Sequence, residues 1–264
     1  GEGGRISKKD IEAYLALQDG HSSPSLSTTT PSVQPTAGQP DSFVFEGSTK
    51  TVPMTPMRQQ IAQHMVASRR TSAHVTTVFE VDMSQIVEIR SQFASEFERR
   101  ASLKLTYTPF IIRAVVRTLK EFPILNASVD GENIVYHKEI HVGVAVALEE
   151  GLIVPVLKNA QDRSFLSIAE DLQNLAERAR KKSLSVNEVQ GGTFTVTNPG
   201  IFGGLFGTPV ISQPQVGILG VGTIEERPVV REGAITVRTM AYLALSFDHR
   251  IVDGAPADQF MAQL

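Results

Sequence analysis

The segment from Ser246 to Gly254 gathers polar side chains directly after a long apolar run. It reads Ser-Phe-Asp-His-Arg-Ile-Val-Asp-Gly, so His249 ends a strand predicted over residues 234–249, and Asp253 follows four residues later. A strand end holds a side chain more firmly than a free loop does. A histidine of ordinary pKa, about 6.5, is a suitable base for a thiol of pKa about 8.5, and proton removal gives the nucleophilic thiolate. A histidine in this position can equally be structural, so the local pattern leaves both interpretations open.

A second segment, residues 191–200, reads Gly-Gly-Thr-Phe-Thr-Val-Thr-Asn-Pro-Gly. Alternate residues of a strand point to the same side, which places Thr193, Thr195 and Thr197 together. Thr197 lies where the strand meets the Asn-Pro-Gly turn, and a hydroxyl there can donate to an oxyanion in acyl transfer. The alternative is that these threonines are present because β-branched residues favour strands.

Composition limits the chemistry further. The chain has 264 residues, 41% hydrophobic and 20% charged, which predicts one large domain with a small additional part. The net charge of −3 argues against nucleic acid as a partner. The absence of cysteine excludes disulfides, thiolate zinc sites and a cysteine nucleophile, so any reacting thiol must come from a substrate. We expect no metal site, and no apolar run reaches the roughly 20 residues that span a bilayer.

Three regions differ in composition. Residues 1–17 combine a Gly-rich turn with a short amphipathic helix, as at the end of a small domain whose beginning has been cut away. Residues 18–51 are rich in Ser, Thr and Pro and predict a flexible tether, with a cloning linker as the alternative. Residues 52–264 have the pattern of a globular domain.

The globular region alternates helical and strand patterns without regular βαβ order. This favours an α/β fold, a two-layer sandwich with a mixed β-sheet and helices packed on it. We predict helices over 57–70, 85–99, 110–122 and 164–182 and one beginning near Ala255, with Pro109 in a first turn and either Ser164 or Ser167 as a cap. We predict strands over 74–83, in a hairpin over 126–136, on both sides of 149–151, and over 193–198, 216–222 and 234–249.

Both polar segments resemble the signatures of the dihydrolipoyl acyltransferases, the core components of 2-oxo acid dehydrogenase complexes. Residues 57–83, 143–160 and 207–230 resemble the same family in the same order, so the likeness covers residues 52–264. It implies a chloramphenicol-acetyltransferase-like version of the sandwich. Residues 3–15 are similar to the last part of a peripheral subunit-binding domain. A lipoyl domain is not found in this chain, and Leu264 falls within an expected helix, so we expect a trimmed C-terminal tail.

The resemblance also implies a mechanism. His249 would take the proton from the thiol of coenzyme A, and the thiolate would attack the thioester of an acyl-dihydrolipoyl group directly. Thr197 would donate its hydroxyl to the tetrahedral oxyanion, while Asp253, together with Arg250, would support the local geometry. In this family the site lies between two subunits of a homotrimer, and trimers join into a cubic or dodecahedral cage. The full-length protein would bind decarboxylase and dihydrolipoamide dehydrogenase components.

Several alternatives remain open. Residues 200–215 favour succinyl as the acyl group, with acetyl or branched-chain acyl as the alternatives. An antibiotic acetyltransferase of the chloramphenicol type shares the His-x-x-x-Asp-Gly pattern but has no reason to carry a docking-domain remnant and a tether. A non-catalytic scaffold subunit of the same fold would be expected to lack the base. The expected location is the bacterial cytoplasm, in preference to the mitochondrial matrix.

Overall fold

The computed structural model describes residues 45, 47–148 and 151–264. The helix predicted within residues 1–17 and nearly all of the tether over 18–51 lie outside the described residues. Residues 54–264 form one compact unit. That unit contains both polar segments identified from the sequence.

The described residues form helices and strands in a mixed order. The helices are α1 (Pro56–Thr71), α2 (Ser84–Ala101), α3 (Thr108–Glu121), α4 (Phe165–Arg180) and α5 (Gly254–Gln263). The strands are β1 (His74–Asp82), β2 (Ala127–Asp130), β3 (Asn133–Tyr136), β4 (Val142–Val144), β5 (Val146–Leu148), β6 (Gly151–Ile153), β7 (Val156–Leu157), β8 (Phe194–Thr197), β9 (Gly217–Val221), β10 (Glu225–Arg231) and β11 (Ala234–Asp248). Within these ranges no helix has the length and apolar character needed to cross a membrane.

One seven-stranded sheet organises the domain. Its strand order is β1-β11-β9-β8-β4-β7, and β10 pairs with the first half of β11. Strand β8 runs parallel to both β9 and β4, whereas the β1–β11, β11–β9 and β4–β7 pairs are antiparallel. The mixed sheet with helices packed against it confirms the predicted α/β sandwich.

Helix α3 forms the centre of the helical layer. Its apolar residues recur at helical spacing and pack into the core, where Ile112, Val115 and Leu119 are at most 1% exposed. Pro109 occupies the first turn, where its missing N–H costs nothing. Phe194 of β8 and Phe260 of α5 meet in the same core, with ring centroids 6.0 Å apart. This packing fixes β8, which ends at Thr197, against α5, which follows the segment containing His249.

The helices and most of the strands predicted for the globular region are confirmed, with three differences. Helix α4 is capped by Ser164, whose hydroxyl accepts from the backbone N–H of Ser167, so Ser167 lies inside the helix and caps nothing. The two strands predicted around residues 149–151 are four short ones, because β4 and β7 join the main sheet while β5 and β6 form a separate hairpin. Strand β10 was missed, since its charges and Pro228 are typical of an edge strand.

An ion pair in the loop before β8 predicts a pH effect on stability. Glu188 accepts hydrogen bonds from Arg178 and from the backbone and hydroxyl of Ser185, and these partners lower the pKa of Glu188 to about 2. Because the folded-state pKa is lowered, the ion pair stabilises the folded protein fully above the ordinary glutamate pKa. This stabilisation is lost as the pH falls towards 2. We therefore expect the free energy of unfolding of Glu188→Gln to fall less between pH 5 and pH 2 than that of the wild type, as measured by urea denaturation. Equal decreases in the free energy of unfolding of the two proteins would show that the ion pair contributes nothing to stability.

Candidate active site

Strand β11 carries His249 to the edge of the domain. The last residues of the strand are fully enclosed, with Phe247 and Asp248 each 1% exposed, while the side chain of His249 is 42% exposed. The backbone N–H of His249 donates to Ala73 O at 2.9 Å, which ties the residue to the start of β1. A buried strand and a backbone hydrogen bond therefore hold an imidazole that solvent and substrate can reach.

The imidazole has few contacts of its own. Its ring lies 5.6 Å from the ring of Phe247, centroid to centroid. Among the described residues, the carboxylate paired with the imidazole is that of Asp253, with Oδ1 4.0 Å from Nδ1 and a side chain that is 85% exposed. Within the described part of the chain neither ring nitrogen has a hydrogen-bond partner, so the ring can accept a proton from an incoming group.

Thr197 is the last residue of β8, and the turn after it is tightly packed. A Cβ on Gly200 would lie 2.3 Å from the backbone of Gly222, and one on Gly222 would lie 1.9 Å from Leu205 O. Backbone therefore meets backbone at both positions, which only glycine allows. The close approach fixes the path of the backbone in the turn that follows Thr197.

The three alternating threonines of β8 have different partners. Thr193 exchanges hydrogen bonds with the backbone of His141, and Thr195 donates to Gln215 Oε1 at 2.6 Å. Among the described residues, Thr197 alone of the three has an uncommitted hydroxyl, and it is only half-buried. Two of these hydroxyls have structural roles, whereas the third is available to a ligand.

Within one chain, Thr197 and His249 are far apart. Thr197 is in register with Gly220 of β9, which is in register with Ala244 of β11. Ala244 precedes His249 by five residues, which is roughly 17 Å at the rise of a β-strand, and two strand spacings add about 10 Å across the sheet. The fold therefore places the two side chains near opposite ends of the sheet, too far apart to contact one small reacting group.

Asp248, directly before His249, was not singled out from the sequence, although Arg250 was expected to support the local geometry. The buried carboxylate of Asp248 binds the guanidinium of Arg250 and also accepts from the backbone N–H of Ala73. The only sequence signal was an aspartate at the end of an otherwise apolar strand. The sequence predicts a supporting role for Asp253, whose carboxylate makes no hydrogen bond among the described residues but lies 4.0 Å from Nδ1 of His249.

A cavity of about 650 Å³ opens beside the end of β8. This volume is within the usual range of small-molecule sites. Its lining is mostly apolar and includes Tyr107, Val146, Leu172, Val196, Asn198 and Ile201. The residues on either side of Thr197 therefore border a space of ligand size.

A match over most of the chain shows its family. The family model of the 2-oxoacid dehydrogenases acyltransferase catalytic domain matches residues 46–264. The chain belongs to this family, as its sequence motifs had indicated.

Individual relatives include both succinyl- and acetyltransferases. The chain is 39% identical over its full length to the succinyltransferase component of the 2-oxoglutarate dehydrogenase complex of Rickettsia typhi, and 36% identical to that of Escherichia coli. It spans 63% of the length of each of these relatives. Among solved structures, a probable dihydrolipoamide acetyltransferase from Listeria monocytogenes matches with a TM-score of 0.80 at 39% identity, covering 82% of this chain and 92% of that one. The dihydrolipoamide acetyltransferase of Azotobacter vinelandii matches with a TM-score of 0.79 at 36% identity, covering 85% and 93%.

Proposed function

We propose that this chain transfers an acyl group from an acyl-dihydrolipoyl thioester to coenzyme A. His249 takes the proton from the coenzyme A thiol, and the thiolate attacks the thioester carbonyl. The hydroxyl of Thr197 donates to the oxyanion of the tetrahedral intermediate, which then collapses and expels the dihydrolipoyl thiolate. The protonated His249 returns its proton to that leaving sulfur, so the enzyme ends as it began.

One observation carries the assignment of these residues. The Azotobacter vinelandii structure belongs to an investigation of a serine, a histidine and an asparagine in the catalytic mechanism of that enzyme. The histidine follows the serine by 52 residues, and the asparagine follows the histidine by four. Thr197, His249 and Asp253 have the same two spacings. Threonine retains the hydroxyl of serine, and aspartate retains the size of asparagine with an added charge.

Thr197 and His249 of one chain are too far apart to form one site, so we propose that a second copy of the chain completes it. Because Thr197 and His249 lie near opposite ends of the sheet, a substrate that contacts both must lie between two subunits. A head-to-tail contact of this kind closes into a ring under cyclic symmetry. We therefore propose a homotrimer in which His249 of each subunit faces Thr197 of the next. The exposed carboxylate of Asp253 is proposed as a support for the imidazole at this boundary.

A solved structure of a relative supports a proposal for the larger assembly. A solved structure of the cubic core of the pyruvate dehydrogenase multienzyme complex is 35% identical to this chain, with a TM-score of 0.79. We propose that the trimers of the full-length protein join into a cage, cubic or dodecahedral, and bind decarboxylase and dihydrolipoamide dehydrogenase components. The bacterial relatives support the bacterial cytoplasm as the place of action.

We propose succinyl as the acyl group, since the Rickettsia typhi and Escherichia coli relatives are succinyltransferases. The expected result is a kcat/KM for succinyl-dihydrolipoamide at least about ten-fold above those for the acetyl and isobutyryl thioesters, the scale of discrimination that a fitted pocket gives. The measurement uses the three soluble thioesters at the same coenzyme A concentration. A higher kcat/KM for the acetyl thioester would assign this chain to the acetyltransferases.

The same assay tests the proposed function as a whole. A non-catalytic scaffold subunit would keep the fold and the assembly but would transfer no acyl group. The presence of both His249 and Thr197 favours the enzyme. If a protein of confirmed trimeric state transfers no acyl group to coenzyme A from any of the three thioesters, the enzymatic function is excluded.

A further inference from the structure

Arg227 is an arginine of strand β10 whose charged group is held on an aromatic ring. Its side chain is only 14% exposed, although β10 lies at the edge of the sheet. The guanidinium carbon lies 4.6 Å from the centroid of the Tyr242 ring, which is a cation–π contact. The Tyr242 ring in turn packs against Phe206, with centroids 5.9 Å apart and the rings inclined at 64°. These contacts hold the guanidinium against the sheet.

The guanidinium keeps donors for a second partner. Nε and Nη2 donate to the same oxygen of Glu225, at 3.2 and 2.8 Å. The Glu225 side chain is 51% exposed, and an ion pair with so exposed a carboxylate is weak. Nη1 of Arg227 makes no hydrogen bond within the described residues. A guanidinium that is stacked on a ring and has a free donor edge is suited to bind a further carboxylate.

Arg227 lies on the same face of the sheet as Thr197. Thr197 is in register with Gly220, and Gly220 is in register with Ala244. Residues in register project on one side of a sheet, and so do residues two apart on one strand, so Tyr242 projects on the side of Thr197. Since Arg227 stacks on Tyr242, its guanidinium lies on that side too.

The distance between them suits a short acyl chain that ends in a carboxylate. Two strand spacings across the sheet and two residues along it separate the backbones of Thr197 and Tyr242, roughly 12 Å in all. A succinyl thioester that accepts from Thr197 at one end and from Arg227 at the other spans roughly 10 Å, including two hydrogen bonds of about 2.8 Å. An acetyl group ends at its methyl carbon and has no carboxylate to offer.

Two glycines of β9 lie between Thr197 and Arg227 on this face. A side chain on Gly220 would contact Pro209, and the carbonyl oxygen of Leu205 lies where a side chain on Gly222 would be. Glycine at these positions lets the segment of residues 205–209 approach the strand as closely as backbone allows. The surface between Thr197 and Arg227 is therefore kept low, so that an acyl chain can lie over it.

We propose that Arg227, held by Tyr242, binds the terminal carboxylate of the acyl group and so determines the preference for succinyl. The proposal rests on the proposed function, in which Thr197 binds the thioester oxygen. Arg227 takes no part in the chemical step; it recognises the far end of the acyl group. A site built to bind a polar group of its substrate discriminates strongly against an analogue without that group, because its own polar group then lacks a partner.

The test compares three soluble thioesters of dihydrolipoamide: succinyl, acetyl, and succinamoyl, in which an uncharged amide replaces the carboxylate at the same size. Arg227→Gln should lower kcat/KM for the succinyl thioester about 10- to 100-fold, the scale of one charge-assisted pair. The values for the acetyl and succinamoyl thioesters should stay within about two-fold of the wild type. Arg231→Gln is the matched control, because it removes the same charge from an exposed position of the same strand, four residues or roughly 13 Å away. All three of its values should stay within about two-fold of the wild type.

An equal loss of kcat/KM for all three thioesters in Arg227→Gln would overturn the proposal, and so would an unchanged preference for succinyl over succinamoyl. If Arg227→Gln does not fold, Arg227→Lys decides the question, because lysine keeps the charge but not the planar group. Its preference for succinyl over succinamoyl should fall at least about three-fold. A wild type that transfers the acetyl group but does not distinguish succinyl from succinamoyl would refute this proposal alone. A wild type that transfers none of the acyl groups would instead refute the proposed function itself.

Discussion

Replacement of His249 by alanine is expected to lower kcat for acyl transfer by about 10²- to 10⁴-fold, the usual contribution of a positioned general base. Without the imidazole, the coenzyme A thiol must lose its proton to water, and little thiolate is present at neutral pH. The side chain projects from the end of β11 and makes no hydrogen bond in the described part of the chain. Its removal should therefore leave the fold and the trimer intact.

The control for this variant is His64→Ala, which removes an exposed histidine of α1. Its kcat should match that of the wild type. Steady-state rates with saturating thioester and coenzyme A give the comparison, and gel filtration confirms the assembly. Near-normal turnover by His249→Ala would remove this residue as the base.

Replacement of Thr197 by valine is expected to lower kcat by about 10²- to 10³-fold, equivalent to roughly 2.7–4 kcal/mol for the loss of one oxyanion donor. Valine has the same shape but offers no hydrogen to the developing negative charge. Because the donor acts on the transition state, KM for coenzyme A should change little. A rise in KM with unchanged kcat would reassign Thr197 to substrate binding.

Two neighbouring variants sharpen the interpretation of this result. Thr197→Ser keeps the hydroxyl and should retain most of the activity. Thr195→Val removes a hydroxyl that is bonded to the buried Gln215, so it should lower the free energy of unfolding by about 1–3 kcal/mol while kcat is maintained. Only the threonine with the uncommitted hydroxyl should affect the rate.

The local sequence pattern was sufficient to predict helices and strands that bury one apolar face. Helix α3 was predicted because its apolar spacing and Pro109 agree with each other. Strand β10 was missed because an edge strand does not need to bury an apolar face and can contain a proline, here Pro228. The four strands over residues 142–157 were merged into two, since an apolar run does not show where the chain leaves one sheet for another.

The candidate site was predictable only in part. The strand-end positions of His249 and Thr197 followed from periodicity and from the turns after each strand. Periodicity does not reveal how far apart two strand ends lie, which depends on strand order and register. The contact between Asp248 and Ala73 was equally hidden, because the two residues are 175 positions apart in the chain. Contacts over such a separation become visible only in the folded sheet.

The central claim is that each active site combines His249 of one subunit with Thr197 of the next. Mixing the inactive His249→Ala and Thr197→Val proteins, with subunit exchange under mild denaturation, tests it most directly. Every mixed trimer then contains one site with both residues intact, so an equal mixture should regain about a quarter of wild-type activity if cyclic trimers form at random. No gain in activity, in trimers shown by mass spectrometry to contain both variants, would contradict a site shared between subunits.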